Sequence, residues 1–476
     1  MFNVCTVETK TDILFVNPPS AFGAYKDTKV EVFRQVFPLL SFMSLSGMAK
    51  REGFKTALAD LGIEEIEPYK VLAKKVEELK PHYVGITSTT PLFFEVVEIA
   101  RIAREILGTN VKIIYGGPHA TALPEESLLN SEIDIVVISE GEETLKEILK
   151  GARLADIKGI YYKENGNVLS TSPRGFIENL DTLPMPDISL YDINKYHCSK
   201  LVSKGTPVLH METSRGCPGR CTFCNKNIYG RRFRTKSPER VIEEMKYFIK
   251  HGAGEFRIID DQFATDIARA KKICAMMLKE NIRVPWNLAN GVRVDRVDEE
   301  FLELAKKAGC YQVGIGFESG DQASLDSIDK DINLAQAARA MAMVKKSGLE
   351  SVGFFILGLP ADTEESMKRT INFAVRMMPT YAKTTVLLPL PGTRVFEQFE
   401  KEGRIKTKDW SQYNFHKVGD VYTHPYLSAE ALKRYYNMFY RSFYFNPSFL
   451  KMRIIKSLRD HTFWRDVYYG AKTFIS

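Results

Sequence analysis

The 476-residue sequence has no apolar run long enough to cross a membrane. A spanning helix needs about 20 apolar residues, and the nearest run, residues 36–49, is interrupted by Ser41, Ser44 and Ser46. The first 20 residues also lack the basic, apolar and small-residue regions of a secretory signal. We therefore expect a cytoplasmic protein.

Cysteine is scarce, and its number, seven, is odd. An odd count in a long chain argues against a disulfide scaffold and indicates reduced thiols or metal ligands. Cys5, Cys274 and Cys310 lie apart from one another, and we expect them to be small buried side chains. The other four cysteines lie between residues 198 and 224.

Excess charge is absent from most of the chain, although the formal net charge is +7. Residues 431–476 contain nine Lys or Arg against two Asp, which accounts for the whole excess. The balanced remainder disfavours a nucleic-acid partner. Thirteen aromatic residues accompany these cations, so the end of the chain is typical either of a helix lying on a membrane or of a helical cap with a solvated basic face.

Over the first 150 residues, short apolar runs alternate with amphipathic stretches. This alternation predicts a parallel, doubly wound sheet, with strands at 12–16, 55–59, 83–87, 112–115 and 135–138. Such sheets bind ligands at the carboxyl ends of their strands. No GxGxxG or GxxxxGKS/T phosphate loop is present, and Gly116, Gly117 and Gly141 are equally typical of ordinary strand-to-helix turns.

A second alternating series begins at Val208, after a Pro-rich and Gly-rich stretch that predicts a hairpin and a linker over residues 151–205. Six strand-helix units predict a barrel-like parallel sheet with its active site at the carboxyl ends of the strands. Six units are too few to close an eight-stranded barrel. The predicted strands are 208–213, 255–260, 286–290, 312–317, 353–357 and 383–388, and the helices are 238–250, 267–279, 299–307, 334–346 and 363–377.

Three cysteines follow the first strand of this series, in the sequence SRGCPGRCTFC. Cys217, Cys221 and Cys224 have C-x3-C-x2-C spacing, and three thiolates on one loop can bind three irons of a [4Fe-4S] cluster and leave the fourth open. The alternative is a structural zinc site, which normally needs four closed ligands. Cys198 or His210 would then have to be the fourth.

This loop, with Phe223 before its last cysteine and six strand-helix units around it, resembles the radical S-adenosylmethionine (SAM) superfamily. In that family the open iron binds SAM, and an electron from the cluster cleaves SAM to a 5′-deoxyadenosyl radical. The resemblance implies a [4Fe-4S] cluster on Cys217, Cys221 and Cys224. It also implies an external electron donor of the flavodoxin or ferredoxin type.

Further segments resemble the SAM-binding strands of the family. DDQF, at residues 260–263, implies that Asp261 accepts a hydrogen bond from the SAM amino group, although a solvated loop also explains adjacent carboxylates. VGIGFESG, at residues 313–320, implies that Glu318 and Ser319 contact the ribose and methionine groups. Phe223 is expected to border the same ligand.

The N-terminal sheet, with its PPSA, GGPHAT and SEGEET loops, resembles the domain of the cobalamin (B12)-binding subfamily. The DxHxxG motif that supplies a His ligand is absent, and we expect His82 and His119 to be turn or surface residues. The resemblance implies base-off cobalamin without a His axial ligand. The implied cobalamin contacts are Ser88, Thr89, Gly116, Gly117, Glu140 and Gly141.

The predicted architecture is therefore α/β: a Rossmann-like cobalamin-binding domain (1–150), a hairpin and linker (151–205), a partial (β/α)6 TIM-like radical SAM barrel (206–400) and a helical C-terminal segment (401–476). The implied activity is methylation of an unactivated carbon through methylcobalamin, on a small-molecule or lipid-like substrate. Two alternatives stay open: a cyclase or rearrangement enzyme acting on a porphyrin-type or lipid-type substrate, and a cobalamin-free radical SAM enzyme. The C-terminal segment is the candidate for peripheral contact with the inner face of the membrane.

Overall fold

The computed structural model describes residues 11–19, 36–64, 66–129, 131–196, 198, 203–415 and 420–464. Cys5 and the predicted C-terminal segment beyond Trp464 lie outside these residues. The described chain forms two sheets whose parallel strands alternate with helices, followed by a helical C-terminal region. This arrangement confirms the predicted α/β fold class.

The N-terminal sheet contains all five predicted parallel strands. Its strand order is β2-β1-β3-β4-β5-β6-β7, so that β1 lies between β2 and β3. The strands are β1 (Ile13–Asn17), β2 (Thr56–Asp60), β3 (Tyr83–Thr87), β4 (Lys112–Gly116), β5 (Ile135–Val137), β6 (Ile160–Glu164) and β7 (Asn167–Ser170). The helices are α1 (Leu40–Arg51), α2 (Pro68–Leu79), α3 (Phe93–Leu107), α4 (Pro118–Ala122), α5 (Pro124–Leu129) and α6 (Glu142–Leu149).

The predicted hairpin at residues 151–205 is present, but it extends the N-terminal sheet. Strand β6 pairs antiparallel with β5, and β7 pairs antiparallel with β6. Ile160 and Tyr162 are buried against the core. Burial of these two side chains explains why the hairpin joins the sheet instead of crossing solvent.

The second sheet is a partial barrel with six parallel strands in sequence order, β8-β11-β12-β13-β14-β15. Strands β9 and β10 form a short antiparallel pair beside it. The strands are β8 (Val208–Met211), β9 (Ser214–Arg215), β10 (Arg234–Thr235), β11 (Glu255–Ile258), β12 (Trp286–Val292), β13 (Cys310–Glu318), β14 (Glu350–Leu357) and β15 (Tyr381–Val386). The helices that follow are α7 (Pro238–Lys250), α8 (Ile267–Lys279), α9 (Glu299–Lys307), α10 (Gln322–Ser327), α11 (Leu334–Ser347), α12 (Glu364–Met377) and α13 (Arg394–Lys401).

Helix starts in the barrel are set by capping side chains. Ser237, Asp266 and Asp298 accept hydrogen bonds from the backbone at the starts of α7, α8 and α9. Asn333 and Thr363 form capping boxes at α11 and α12. Each cap therefore fixes the residue at which the preceding loop ends and the helix begins.

The barrel strands bury one face and leave the other accessible. On β8, Leu209 and Met211 are buried beneath the helices, whereas His210 between them is only partly buried. On β11, Phe256 is buried, whereas the next residue, Arg257, is only partly buried. Successive strand residues point to opposite faces. The accessible face is therefore the concave interior of the barrel.

The C-terminal region contains α14 (Ala429–Tyr444) and α15 (Pro447–Arg459). The Tyr440 and Tyr444 hydroxyls of α14 hydrogen-bond the backbone of Thr384 and Ala382, which covers the free edge of β15. No described helix has the length and apolar character that crossing a bilayer requires.

Candidate active site

The cysteine loop begins at the carboxyl end of β8 and is anchored to the end of β11. The Asp260 carboxylate accepts hydrogen bonds from the Thr213 amide (2.6 Å) and from the Thr213 and Ser214 hydroxyls (both 2.5 Å). Asp261 accepts one from the Gly216 amide (3.1 Å). The two adjacent aspartates therefore hold the backbone that leads into the first cysteine.

The three thiols of this loop lie among cations. Burial raises the pKa of Cys224, and the Lys226 ammonium, which donates a hydrogen bond to this sulfur, opposes that rise. Burial likewise raises the pKa of Cys221, against the opposing charge of Lys330. Arg293 adds a third cation on this side of the loop. Although burial opposes it, Asp295 and the sulfurs of Cys221 and Cys217 raise the pKa of the Arg293 guanidinium.

This environment fits an anionic thiolate cluster. Metal ligation requires the thiolate form, which neighbouring cations favour, and here Lys226, Lys330 and Arg293 provide them. In the described part of the chain, no three His, Cys, Asp or Glu side chains converge as ligands of one metal ion. Cysteines of a four-iron cluster each bind a separate iron, so they are spread more widely than the ligands of a single ion.

Glu318 ends β13 at the same edge of the barrel. Its backbone is left-handed (φ 61°), and its carboxylate accepts a hydrogen bond from the buried Lys330 ammonium at 2.7 Å. A Cβ at the preceding glycine, Gly316, would lie 2.7 Å from the Glu318 carboxylate oxygen. Strained conformations of this kind cluster at ligand sites, which is consistent with the predicted role of Glu318.

Ser319 and Phe223 make contacts within the protein. The Ser319 hydroxyl lies 2.9 Å from that of Thr370 and accepts a hydrogen bond from the Asp321 amide at 3.1 Å. Phe223 is partly buried against an apolar cluster that spans both sheets. Their predicted contacts with SAM stay predictions.

Four of the predicted cobalamin contacts are accessible at the carboxyl edge of the N-terminal sheet. Thr89 is exposed, and Gly116, Gly117 and Gly141 are partly exposed. Gly117 has φ 105°, and a Cβ there would lie 2.5 Å from the Thr87 hydroxyl oxygen, so only glycine fits this turn. Ser88 is buried, with its hydroxyl 2.7 Å from that of Tyr115.

The prediction that His119 is a turn or surface residue is wrong. Its imidazole is fully buried, 4.5 Å from the Phe93 ring and 5.6 Å from the Trp410 ring between centroids. Nδ1 lies 3.3 Å from the Thr90 hydroxyl, and Nε2 has no hydrogen-bond partner in the described structure. Burial lowers the pKa of His119 to about 4, so the ring is neutral. His82, by contrast, lies just before β3 with a side chain that is 54% exposed.

A buried ion network joins the cysteine loop to the N-terminal sheet. Arg215, two residues before Cys217, donates hydrogen bonds to Glu140 (2.8 Å), Glu142 (2.6 Å) and Glu212 (2.7 Å). The exposed fraction of the Arg215 side chain is 4%. Although burial opposes it, the Arg215 charge holds the pKa of Glu142 below its usual range.

Arg234 completes the network from the short strand β10. Its guanidinium donates to both oxygens of Glu140 at 2.9 Å and to the Ile177 carbonyl at 2.6 Å. Glu140 was predicted to contact cobalamin, but its carboxylate is taken up by these two arginines and the Ile177 amide. Gly141 lies at the start of α6 and accepts the amide of Leu145. The sequence did not reveal Arg215 or Arg234, because the ion pairs join residues that are far apart along the chain.

The carboxyl edges of the two sheets consequently face each other. The Ser139 hydroxyl, in the loop after β5, donates to the Ile228 carbonyl beyond the cysteines at 2.6 Å. A Cβ at Gly392, after β15, would lie 3.1 Å from the Ala122 Cβ at the end of α4. The predicted SAM and cobalamin loops are thus parts of one interface.

Comparison with known proteins gives the same two domains. The chain matches the family model of the radical SAM superfamily over residues 211–374 and that of the B12 binding domain over residues 29–149. It is 34% identical over 456 residues to the uncharacterized methyltransferase PH0819 of Pyrococcus horikoshii, which covers 94% of this chain and 95% of that protein.

Two further similarities are informative. The chain is 26% identical over 401 residues to the anaerobic magnesium-protoporphyrin IX monomethyl ester cyclase of Cereibacter sphaeroides, covering 82% of this chain and 63% of that protein. The solved structure of the cobalamin-dependent S-adenosylmethionine radical enzyme OxsB with aqua-cobalamin bound has the same fold. The superposition has a TM-score of 0.74 at 19% sequence identity, and it covers 98% of this chain and 72% of the OxsB chain. The chain is an enzyme and belongs to the radical SAM superfamily, in the group whose members carry a B12-binding domain.

Proposed function

We propose that this enzyme is a cobalamin-dependent radical SAM methyltransferase that methylates an unactivated carbon of a small-molecule or lipid-like substrate. The observation that carries the proposal is the buried contact between Arg215, beside the cysteines, and Glu140 and Glu142 of the N-terminal sheet. It brings the two cofactor-bearing edges into one interface. PH0819, 34% identical over nearly the full length of both chains, is itself named a methyltransferase, which supports methyl transfer.

In this proposal, one loop and two strand ends hold the cluster and SAM. The assigned residues are Cys217, Cys221 and Cys224 for the [4Fe-4S] cluster and Asp261 and Glu318 for SAM. When bound, the cluster would pass on an electron from an external donor, and SAM would supply the radical that removes hydrogen. Cobalamin would supply the cobalt centre that carries the methyl group.

The chain's own contribution is to position and shield these groups. Lys226 and Lys330 favour the thiolate forms of the cysteines. Asp260 fixes the start of the loop through three hydrogen bonds. The apposed edges of the two sheets exclude water, which would otherwise intercept reactive intermediates.

We also propose that cobalamin is bound base-off, without a histidine ligand. His119 is enclosed by aromatic rings, and His82 lies at the amino end of β3, on the opposite edge of the sheet from the predicted cobalamin loops. Electron paramagnetic resonance of the cobalt(II) form tests this assignment. We expect no nitrogen splitting, and the same spectrum for His119→Ala. Nitrogen splitting that disappears in this variant would show that His119 is a ligand, and nitrogen splitting that persists in it would contradict base-off binding.

A cyclase is the second candidate, because the Cereibacter sphaeroides relative has that activity. Turnover with SAM that carries a CD3 methyl group separates the two reactions. A methyltransferase gives a product that carries the CD3 group. A product without isotope label, formed in step with SAM cleavage, would favour cyclisation or rearrangement.

We further propose that α15 contacts an anionic membrane surface. Leu450, Ile454 and Leu458 form an exposed apolar stripe at i, i+4 and i+8, flanked by exposed Lys451 and Arg459. Exposed apolar side chains beside cations are typical of interfacial helices.

Vesicle cosedimentation tests the membrane proposal. We expect Ile454→Glu to weaken binding to vesicles that contain phosphatidylserine. Leu129→Glu, at a leucine that is 63% exposed at the end of α5 in the N-terminal domain, is the matched control and should bind normally. Equal binding by the two variants would remove the proposal.

A further inference from the structure

Asn290, near the carboxyl end of β12, has an exposed side chain to which the site described so far gives no role. Strand β12 lies between β11 and β13 in the sheet. Of the predicted SAM contacts, Asp261 follows β11 and Glu318 ends β13. Asn290 therefore lies between two predicted SAM contacts.

A bulge in β12 turns Asn290 toward this edge of the barrel. The register of β12 with β13 shifts between Leu288 and Val292, so that three residues of β12 lie opposite Gly314 alone. In a regular strand, Asn290 would point to the same face as Leu288, which is buried beneath the helices. Bulges re-aim side chains in this way and are common beside active sites. A Cβ at Gly314 would lie 2.9 Å from the Gly291 Cα, so the two strands meet through glycines at this point.

Hydrogen bonds fix the orientation of the Asn290 amide. Its Nδ2 donates to the Ile259 carbonyl at 2.6 Å and to the Asp260 carbonyl at 3.4 Å. A carbonyl oxygen only accepts hydrogen bonds, so the NH2 group of the amide must face these two atoms. The amide oxygen, Oδ1, consequently points away from them, and it accepts no hydrogen bond within the described residues.

Asp261 provides a second acceptor beside this amide. The Asp260 carbonyl that Asn290 contacts belongs to the peptide bond that leads into Asp261. The Asp261 carboxylate is exposed, accepts one backbone amide at 3.1 Å and forms no ion pair in the described part of the chain. Lys226 acts on Asp261 from beyond ion-pair distance, and its own hydrogen bond goes to the Cys224 sulfur. Two adjacent acceptors, one of them anionic, suit a cationic ligand group with at least two N–H donors.

We infer that Asn290 binds the methionine amino group of SAM by accepting a hydrogen bond at Oδ1. Asp261 accepts a second hydrogen bond from the same group. This inference rests on the proposed function in taking Asp261 as a SAM contact. Asn290 then has two roles, because its NH2 group holds the backbone that carries Asp261 and its oxygen binds the ligand.

Two ligands distinguish a contact with the amino acid part of SAM from a contact with its nucleoside. 5′-Methylthioadenosine keeps the adenosine and the sulfur of SAM but lacks the amino acid. We would titrate each ligand into the anaerobically reconstituted holoenzyme and measure binding by calorimetry. Asn437→Ala, at an exposed asparagine of α14, is the matched control.

In Asn290→Ala, we expect the Kd of SAM to rise about tenfold, which is the effect of losing one hydrogen bond to a charged group. The Kd of 5′-methylthioadenosine should stay within about twofold, and Asn437→Ala should change neither. Asn290→Asp separates the two roles, because it keeps an acceptor but cannot donate to the two carbonyls. Its Kd for SAM should lie within about threefold of that of the unaltered enzyme, since the added charge attracts the amino group.

An unchanged Kd of SAM in Asn290→Ala, or an equal rise for both ligands, would overturn the inference. So would a Kd of SAM that is as high in Asn290→Asp as in Asn290→Ala, because it would show that only the NH2 group matters. If Asn290→Ala loses its cluster through misfolding, Asn290→Asp decides alone, and a rise of about tenfold in its Kd for SAM would overturn the inference.

The same measurements separate this inference from the proposed function. Weaker SAM binding by Asn290→Ala, in an enzyme that transfers no methyl group, would refute only the proposed methyl transfer. Methyl transfer by an enzyme whose SAM affinity does not depend on Asn290 would refute only the role of this residue.

Discussion

Replacing Arg215 with methionine should destabilise the interface between the two domains more than any exposed charge change. Arg215→Met keeps a side chain of similar length but removes the charge that Glu140, Glu142 and Glu212 share. Arg234 would then be the remaining cation of the network. Three buried carboxylates would have one arginine to pair with.

The expected loss is about 3 to 5 kcal/mol of unfolding free energy, the usual cost of leaving a buried charge without its partner. The loss should depend on pH. In the unaltered protein, the lowered pKa of Glu142 stabilises the fold at every pH above the pKa that this carboxyl has in the unfolded chain. That contribution is lost as the pH falls through the pKa of the folded protein. In the variant, burial without Arg215 raises this pKa, so stability is lost as the pH rises. The difference between the two proteins should therefore shrink from about pH 8 to about pH 5.

Anaerobic urea unfolding, followed by tryptophan fluorescence, measures this difference from the shift in midpoint and the slope. The control is Arg232→Met, because Arg232 pairs with Glu178 and its side chain is 70% exposed. The control should lose less than about 1 kcal/mol. Equal losses in the two variants, or a difference that grows as the pH falls, would refute the reasoning.

Two further predictions concern the cofactor loops. Cys217→Ala should lose iron and retain cobalamin, whereas Cys274→Ala, at a buried thiol of α8, should retain both; iron and corrin assays check this, and normal iron content in Cys217→Ala would exclude the cysteine as a ligand. Gly117→Ala should lower stability and corrin content because the new Cβ meets the Thr87 hydroxyl, whereas Gly53→Ala, with φ 90° and open space around it, should cost only backbone strain of about 1 kcal/mol. Equal corrin content in the two glycine variants would show that the collision does not matter.

The elements with a strong local pattern were predictable. Helices α7, α8 and α9 have the predicted bounds, because their amphipathic periods begin directly after Ser237, Asp266 and Asp298. Strand β13 is longer than predicted, since Cys310 and Tyr311 extend the pairing where the register with β12 shifts. Local sequence does not encode such a shift.

The parts of the site that sequence could not supply depend on distant contacts. Glu140 looked like a loop residue open to a ligand, but it is buried because arginines 75 and 94 residues away fold onto it. The enclosure of His119 depends on Trp410, which belongs to the C-terminal region.

The central claim is that the cobalamin of this enzyme carries a methyl group taken from SAM. The most direct test is to incubate the reduced, reconstituted enzyme with SAM bearing a CD3 methyl group and to extract its corrin for mass spectrometry. This measurement needs no knowledge of the substrate. We predict stoichiometric CD3 label on the corrin. Enzyme with a full complement of iron and corrin that cleaves SAM but leaves the corrin unlabelled would contradict the account.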